Sequence, residues 1–260
     1  MWHQERYQRI CTLLDTFQRL STERLASELG VSRETVRRDL LYLERRGELR
    51  RIHGGAMTTR PQEPPIDVRA KTRIEEKRTI AKLTRNEISS GQTLFIDAGT
   101  TTTLLAEELS TLEGLVVVTN SIAVALKLSP APREAHTTSS NRVILLGGDV
   151  NSALQATFGA KTIGEIHRYR ADLALLSPVG IDAAHGATSY DHDEAEIAAA
   201  MAACASRIAL LADHSKIGRA SRLSYCRASR IDLLVSDRPI DDPALLDALA
   251  ERGRILHPGS

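Results

Sequence analysis

Residues 21–56 read STERLASELGVSRETVRRDLLYLERRGELRRIHGGA, and this stretch decides the fold of the N-terminal part. Ser21 is a helix-capping residue, and Glu23 stands where a helix dipole favours an acid. Leu25, Ala26 and Leu29 keep one face of that helix apolar. Gly30 tolerates the left-handed backbone that ends a helix, and Val31 fills the corner behind it. Ser32 caps the next helix, where Val36, Leu40 and Leu43 fall at i, i+4 and i+7 and share one buried stripe. Gly47 stops this helix. Leu49 and Ile52 bracket Arg50 and Arg51, and His53-Gly54-Gly55 makes a turn permissive of positive φ. Upstream, Tyr7, Ile10, Leu14 and Phe17 form the apolar face of a first helix. The pattern predicts a winged helix-turn-helix over residues 1–57.

At about 100° per residue, Arg38 points away from Val36, with Thr35 and Arg37 on its flanks. A helix held down by a Val/Leu stripe and exposing Thr and Arg near its start suits a DNA major groove. Arginine forks onto guanine edges or clamps phosphates, and threonine contacts either. Arg38 and Thr35 are therefore expected to read bases, and Arg33, Arg37, Arg50 and Arg51 to hold phosphates. Ser32 at the helix start and His53 in the wing turn are placed with them. An isolated Arg-rich helix more often just solvates its polar face. Here the capped helix, glycine turn, capped helix and basic hairpin come in order, and all eleven basic residues of 1–57 are arginine.

The chain has 260 residues and a net charge of only +1. That charge is unevenly spread. Residues 1–57 hold 11 Arg against 8 acids, net +3, which leaves the remainder at 23 basic and 25 acidic, net −2. A DNA-facing N-terminus and a sensor-like remainder follow. Cys11, Cys204 and Cys226 match neither a disulfide framework nor a zinc spacing. A signal-peptide core and a membrane-length apolar run are both missing from the sequence, which predicts a cytoplasmic protein with no membrane partner.

Residues 58–74 contain Pro61, Pro64 and Pro65 and read as a stiffened linker, followed by a second domain over 75–260 that the family resemblance set out below implies to be effector-sensing and oligomerising. Strand-like runs at 93–97, 115–119, 142–146, 172–176, 207–212 and 232–236 alternate with helical patterns near 101–110, 121–128, 157–168 and 191–205. This is an α/β pattern with a mostly parallel sheet covered on both faces. Asp97, Gly99, Thr100 and Thr101 follow one strand, Thr119 and Asn120 the next, and Gly147 a third. Main-chain N–H groups and hydroxyls at such strand ends cradle an oxyanion, and loops beyond the carboxyl ends of strands converge on one ligand site. Asp182 and Glu194 offer acids for sugar hydroxyls, and Lys216 a charge for a phosphate. The competing reading of the acidic run is a solvated helix start. His192 and its acidic neighbours fit no standard metal spacing, so neither metal nor cofactor is expected.

The chain resembles the DeoR family of bacterial transcriptional regulators along nearly its whole length. The N-terminal match rests on LSTERLASELGVSRETVRRDLLYLERRGELRRIHGGA. The C-terminal match rests on EEKRTIAKL, LFIDAGTTT, VVTNSIAVA, VILLGGDV, VGIDAAHGAT, LADHSKIG and IDLLVSD. The resemblance implies a ribose-5-phosphate-isomerase-like sensor domain, a repressor of a carbohydrate or polyol operon, and release by a phosphorylated sugar or glycerol 3-phosphate. It also implies a homo-oligomer, dimer or tetramer, on double-stranded operator DNA. Ser177-Pro178-Val179-Gly180 stands where family patterns often carry Gly-Gly.

Two other functions compete. A sugar-phosphate isomerase fused to a DNA-binding module would need an acid/base pair and a cation, for which Asp182, Glu194 and Lys216 are the candidates. The isomerase-like fold has a lysine soon after the Asp-Gly turn, and 183–188 contains none. No catalytic residue is therefore expected. A structural nucleoid protein would need a strongly basic chain, against the near-neutral charge.

Overall fold

The structure, a computed structural model, describes residues 3–17, 19–58, 64–129, 141–250 and 252–260. The chain divides into two compact units, residues 1–62 and 63–260.

In the first unit, α1 (His3–Phe17) leads through β1 (Arg19–Ser21) to α2 (Thr22–Leu29) and α3 (Arg33–Arg45). The hairpin of β2 (Leu49–Ile52) and β3 (Gly55–Thr58) follows. Ser21 Oγ accepts the Arg24 N–H at 3.2 Å, and Ser32 Oγ accepts the Thr35 N–H at 3.1 Å. Between them Gly30 sits at φ +64°, and the Val31 N–H closes α2 onto Ala26 O at 3.1 Å. Ile10, Leu14, Leu25, Leu29 and the Val36/Leu40/Leu43 stripe are all buried in one core. The side chain of Phe17 lies outside the described residues. The expected two-stranded wing is in fact a three-stranded antiparallel sheet, because β1 adds to β3. Three residues are too few for strand alternation to register in a sequence. Gly55 is needed where β1 crosses, since a Cβ there would run into the Leu20 carbonyl oxygen.

The second unit starts with α4 (Ile66–Lys71) and α5 (Ile74–Arg85), then β4 (Thr93–Ile96), α6 (Thr100–Leu109), β5 (Val116–Thr119) and α7 (Ile122–Leu128). After β6 (Arg142–Leu145) come a small hairpin, β7 (Asp149–Asn151) and β8 (Ala156–Phe158), and α8 (Ala160–Ile166). Strand β9 (Ala171–Leu176) precedes β10 (Gly180–Asp182), β11 (Gly186–Ser189), α9 (His192–Ala203) and β12 (Ala205–Leu211). Then β13 (Leu223–Cys226), β14 (Leu233–Val235), α10 (Pro243–Leu249) and β15 (Arg254–Leu256) complete it.

The described main sheet runs β15-β14-β12-β9-β4-β5-β6, with every pair parallel. Its inner strands are apolar on both faces because each face carries a helical layer. Leu94, Ile96, Val117, Leu173 and Leu175 pack towards α5, α6 and α7. Phe95, Val118, Ala174 and Leu176 pack with α8, α9 and α10. Strands β10, β11 and β13 make a separate antiparallel sheet.

Two expectations need correction. Within 58–74, expected as linker, Thr58 ends β3 and Ile66–Lys71 is helical, while residues 59–63 lie outside the described residues. The short helix is held from below. Lys77 Nζ donates to Arg69 O at 2.5 Å and Thr72 O at 2.9 Å, placing a cation at its carbonyl end. The helix expected over 157–168 begins only at Ala160, because β8 pairs with β7 and Gly159 separates the two elements.

Candidate functional site

The recognition helix α3 is fixed from beneath by a charge that its apolar pattern does not reveal. Asp39 shares the buried face with Val36, Leu40 and Leu43. Arg6 from α1 grips it in a two-pronged pair, Nε to Oδ2 at 2.5 Å and Nη2 to Oδ1 at 2.9 Å, with both side chains about 5% exposed. The hydrogen bonds to Asp39 raise the pKa of the Arg6 guanidinium above its already high ordinary value. The pair locks the first helix to the third.

The opposite face of α3 and the wing are cationic and exposed. Arg33 pairs with Glu23 at 3.3 Å, Arg38 with Glu34 at 3.5 Å and Arg51 with Glu44 at 3.8 Å. Arg37 and Arg50 have no acidic partner among the described residues, and both side chains, with His53, face solvent. Exposed ion pairs contribute about 0–1 kcal/mol, so exchanging these carboxylates for phosphates costs little. Thr35 is half-buried, and its hydroxyl meets Ser32 Oγ at 2.8 Å, so both residues order the start of α3.

In the second unit the strand order reverses between β4 and β9, and the crevice beyond their carboxyl ends is the expected ligand position of an open α/β sheet. Asp97 ends β4 and spans that crevice: its Oδ2 accepts the Ser177 N–H at 2.8 Å, and its own N–H donates to Leu175 O at 3.2 Å. Gly99 precedes α6, whose N-terminus has no side-chain cap. A Cβ on Gly99 would lie 3.3 Å from Ser177 Cβ, so this glycine lets the two loops touch. Lys216 Nζ reaches the same point, donating to Pro178 O at 2.6 Å and Ser177 Oγ at 3.2 Å. Beside them lies a cavity of about 30 Å³, walled by Asp97, Asn120, Ser177, Ser189, Glu194 and Tyr225 and closed by Ala98, Ile197 and Ala198. Ser189 Oγ donates to Glu194 Oε2 at 3.1 Å.

The turn carrying Lys216 is itself anchored on both sides. Buried Asp213 Oδ1 accepts the Ser215 N–H and Oγ–H, and Arg73 Nε lies 3.8 Å away. His214 donates its N–H to Asp237 Oδ1 at 2.7 Å, and its ring meets Oδ2 at 2.9 Å. Burial pushes the Asp237 carboxyl up, but the hydrogen bonds from His214 outweigh it and hold the group below its usual pKa.

Family models match both units: a DeoR-like helix-turn-helix domain over residues 6–62 and the DeoR C terminal sensor domain over 72–238. The chain belongs to the DeoR family. It is a DNA-binding transcription regulator. The HTH-type transcriptional repressor GlcR of Bacillus subtilis (strain 168) is 33% identical over 255 residues, 97% of this chain and 95% of that one. The Glycerol-3-phosphate regulon repressor of Escherichia coli (strain K12) is 33% identical over 221 residues, 85% of each chain. The HTH-type transcriptional regulator GlpR of Haloferax volcanii is 34% identical over 239 residues, 91% of each. A solved ribose 5-phosphate isomerase A from Methanocaldococcus jannaschii covers 56% of this chain and 55% of its own at 14% identity, with a TM-score of 0.39, too loose a likeness to carry function.

Of the effector residues expected for this regulator, Asp97, Asn120 and Glu194 line the cavity, and Gly99 and Lys216 meet at Ser177 on its edge. Thr100 opens α6, and Thr101 is buried within its first turn. Thr119 lies inward, its hydroxyl donating to Ile96 O at 2.6 Å and accepting the Ser121 N–H. Two residues stand elsewhere. Gly147 gives its N–H to Glu165 Oε2 at 2.8 Å, beyond the edge strand β6 and two strands from the crevice. Asp182 closes the β10–β11 turn, accepting the His185 N–H at 2.6 Å. Burial raises its pKa, but the His185 side chain and backbone bonds prevail and lower it. Within the acidic run, Asp191 caps α9 and Glu194 alone of the run lines the cavity. Ser177, Ser189 and Tyr225 escaped the sequence reading. Ser177 follows a recognised strand and was within reach of the strand-end rule, whereas Ser189 and Tyr225 lie on short strands without a readable period.

Among the described residues, no group of three His, Cys, Asp or Glu side chains is placed to hold a metal ion. None of the described helices is long and apolar enough to cross a membrane.

Proposed function

We propose that this regulator is a repressor of a carbohydrate or polyol operon, released from operator DNA when a phosphorylated sugar or polyol occupies the crevice between β4 and β9. The observation that carries this reading is the meeting of Lys216, Ser177 and the uncapped start of α6 at one point. The first N–H groups of a helix have no intrahelical acceptor, and with a lysine beside them they suit a phosphate. Thr100 and Thr101 belong to that first turn, while Asp97, Asn120 and Glu194 offer acceptors for hydroxyls. The names of the glycerol-3-phosphate and sugar-system relatives support the same ligand class.

In this reading residues 1–57 read the operator, and 75–260 sense the effector and assemble copies. Arg38 and Thr35 address bases; Arg33, Arg37, Arg50 and Arg51 hold phosphates, with Ser32 and His53 at the margins. One winged helix buries too little surface for tight specific binding, so two or more copies act together in the cytoplasm where their DNA lies. The site senses rather than converts its ligand, since residues 183–188 supply no lysine for isomerase chemistry. Calorimetry of the full chain with a sugar phosphate and its free sugar tests the pocket. Gel shifts with and without the phosphate test release. Equal affinity for both sugars, or operator binding that ignores the phosphate, overturns the reading.

A further inference from the structure

The cavity beside the crevice has two polar atoms that the chain itself does not use. The Tyr225 hydroxyl is shut from solvent and has no hydrogen-bond partner among the described residues. The same is true of Asn120 Oδ1, although the Nδ2 of that amide is fixed by donating to Thr157 O at 3.0 Å. Buried polar groups are almost always paired in folded proteins, so two exceptions on residues that line one cavity point to a partner from outside the chain. One is a donor and the other an acceptor, the pair that a single alcohol group satisfies.

Size and charge narrow the partner further. About 30 Å³ exceeds the roughly 10–15 Å³ that a single bound water needs, enough for one hydroxyl-bearing end of a ligand and not for a whole sugar phosphate. The wall contains the carboxyl groups of Asp97 and Glu194 and no cationic side chain. A phosphate is repelled there and attracted to Lys216, which touches Ser177 at the edge.

We propose that this cavity is the hydroxyl-reading end of the effector site, in which Tyr225 donates to, and Asn120 Oδ1 accepts from, a hydroxyl of a phosphorylated polyol or sugar whose phosphate stays at Lys216. This rests on the effector site proposed above and adds to it an orientation and a specificity residue. Asp97 and Glu194 accept from neighbouring hydroxyls on the same carbon chain. Burial first, and then the carboxylates of Asp97 and Glu194 with Cys226, push the Tyr225 hydroxyl well above its ordinary pKa. The phenol is therefore a committed donor at neutral pH.

Tyr225→Phe removes one oxygen and keeps the ring, so the fold is retained, as an unchanged thermal midpoint will confirm. Calorimetry on the full chain uses glycerol 3-phosphate, ribose 5-phosphate and fructose 6-phosphate, with n-propyl phosphate and inorganic phosphate as hydroxyl-poor probes. The tightest polyol or sugar phosphate should bind Tyr225→Phe about tenfold more weakly, while the two hydroxyl-poor probes change less than about twofold. Lys216→Ala should weaken every phosphate-bearing probe. Unchanged polyol affinity in Tyr225→Phe, or equal loss for n-propyl phosphate, overturns the hydroxyl assignment and leaves the phosphate site standing. Wild-type protein that binds none of the probes overturns the effector site and this inference together.

Discussion

Replacing Asp39 by Ala strands a buried guanidinium under the recognition helix. Arg6 then keeps only its contact with His3 Nδ1 at 2.9 Å and loses both prongs to the carboxylate. Breaking a buried pair by removing one partner typically costs about 3–5 kcal/mol. The first unit is small, so water lies close to the pair and the lower end applies, about 3 kcal/mol. A unit of 62 residues has about 3–9 kcal/mol of stability in all. The substitution therefore takes it close to unfolding, a loss of at least about a hundredfold in the folded ratio. Replacing both partners, as Arg6→Met with Asp39→Leu, removes the stranded charge and should restore all but about 1 kcal/mol. Urea unfolding of the full chain, followed by far-UV circular dichroism, compares the single and double variants directly. If Asp39→Ala costs less than about 1 kcal/mol, or if the double variant is as unstable as the single one, the pair does not lock α1 to α3 and the reasoning fails.

On operator DNA, Arg38→Ala should cost about 1–3 kcal/mol and relax sequence preference, whereas Arg51→Ala should weaken all sequences evenly and flatten the salt slope. Footprints at several salt concentrations separate the two, and identical behaviour of both variants contradicts the assignment. Gly55→Ala drives a methyl group into the Leu20 carbonyl and should destabilise the wing by about 1–3 kcal/mol, read as a lower urea midpoint. Asp237 has a depressed pKa in the folded state, so its stabilising effect is complete above the unfolded carboxylate value of about 3.9 and disappears as pH falls through the folded value. Asp237→Asn should therefore lower stability at neutral pH and flatten the loss below about pH 4; parallel pH profiles for the two proteins would exclude a role for this carboxylate.

The local code of the head was legible in the sequence. Ser21, Gly30 and Ser32 act on their own neighbours, and Val36, Leu40 and Leu43 mark a buried face by period alone, so the helices and their turn need no distant information. The six apolar runs likewise became the strands of one parallel sheet, because burial on both faces leaves a continuous hydrophobic signature. What depended on distant pairing was not legible. Arg6 and Asp39 are 33 residues apart, and each reads alone as a surface charge. Strand β1 exists only because β3 offers it an edge. Gly147 comes after a strand just as Asp97 does, yet only the strand order shows that the switch lies between β4 and β9, which brings Ser177 to Asp97 and leaves Gly147 beyond the sheet edge, while Asp182 belongs to the separate sheet of β10, β11 and β13. Sequence marks which residues stand at strand ends. Which ends share a crevice, and that Tyr225 faces the same cavity, is set by sheet topology, because neighbours across a parallel sheet are joined by hydrogen bonds between segments far apart in the chain.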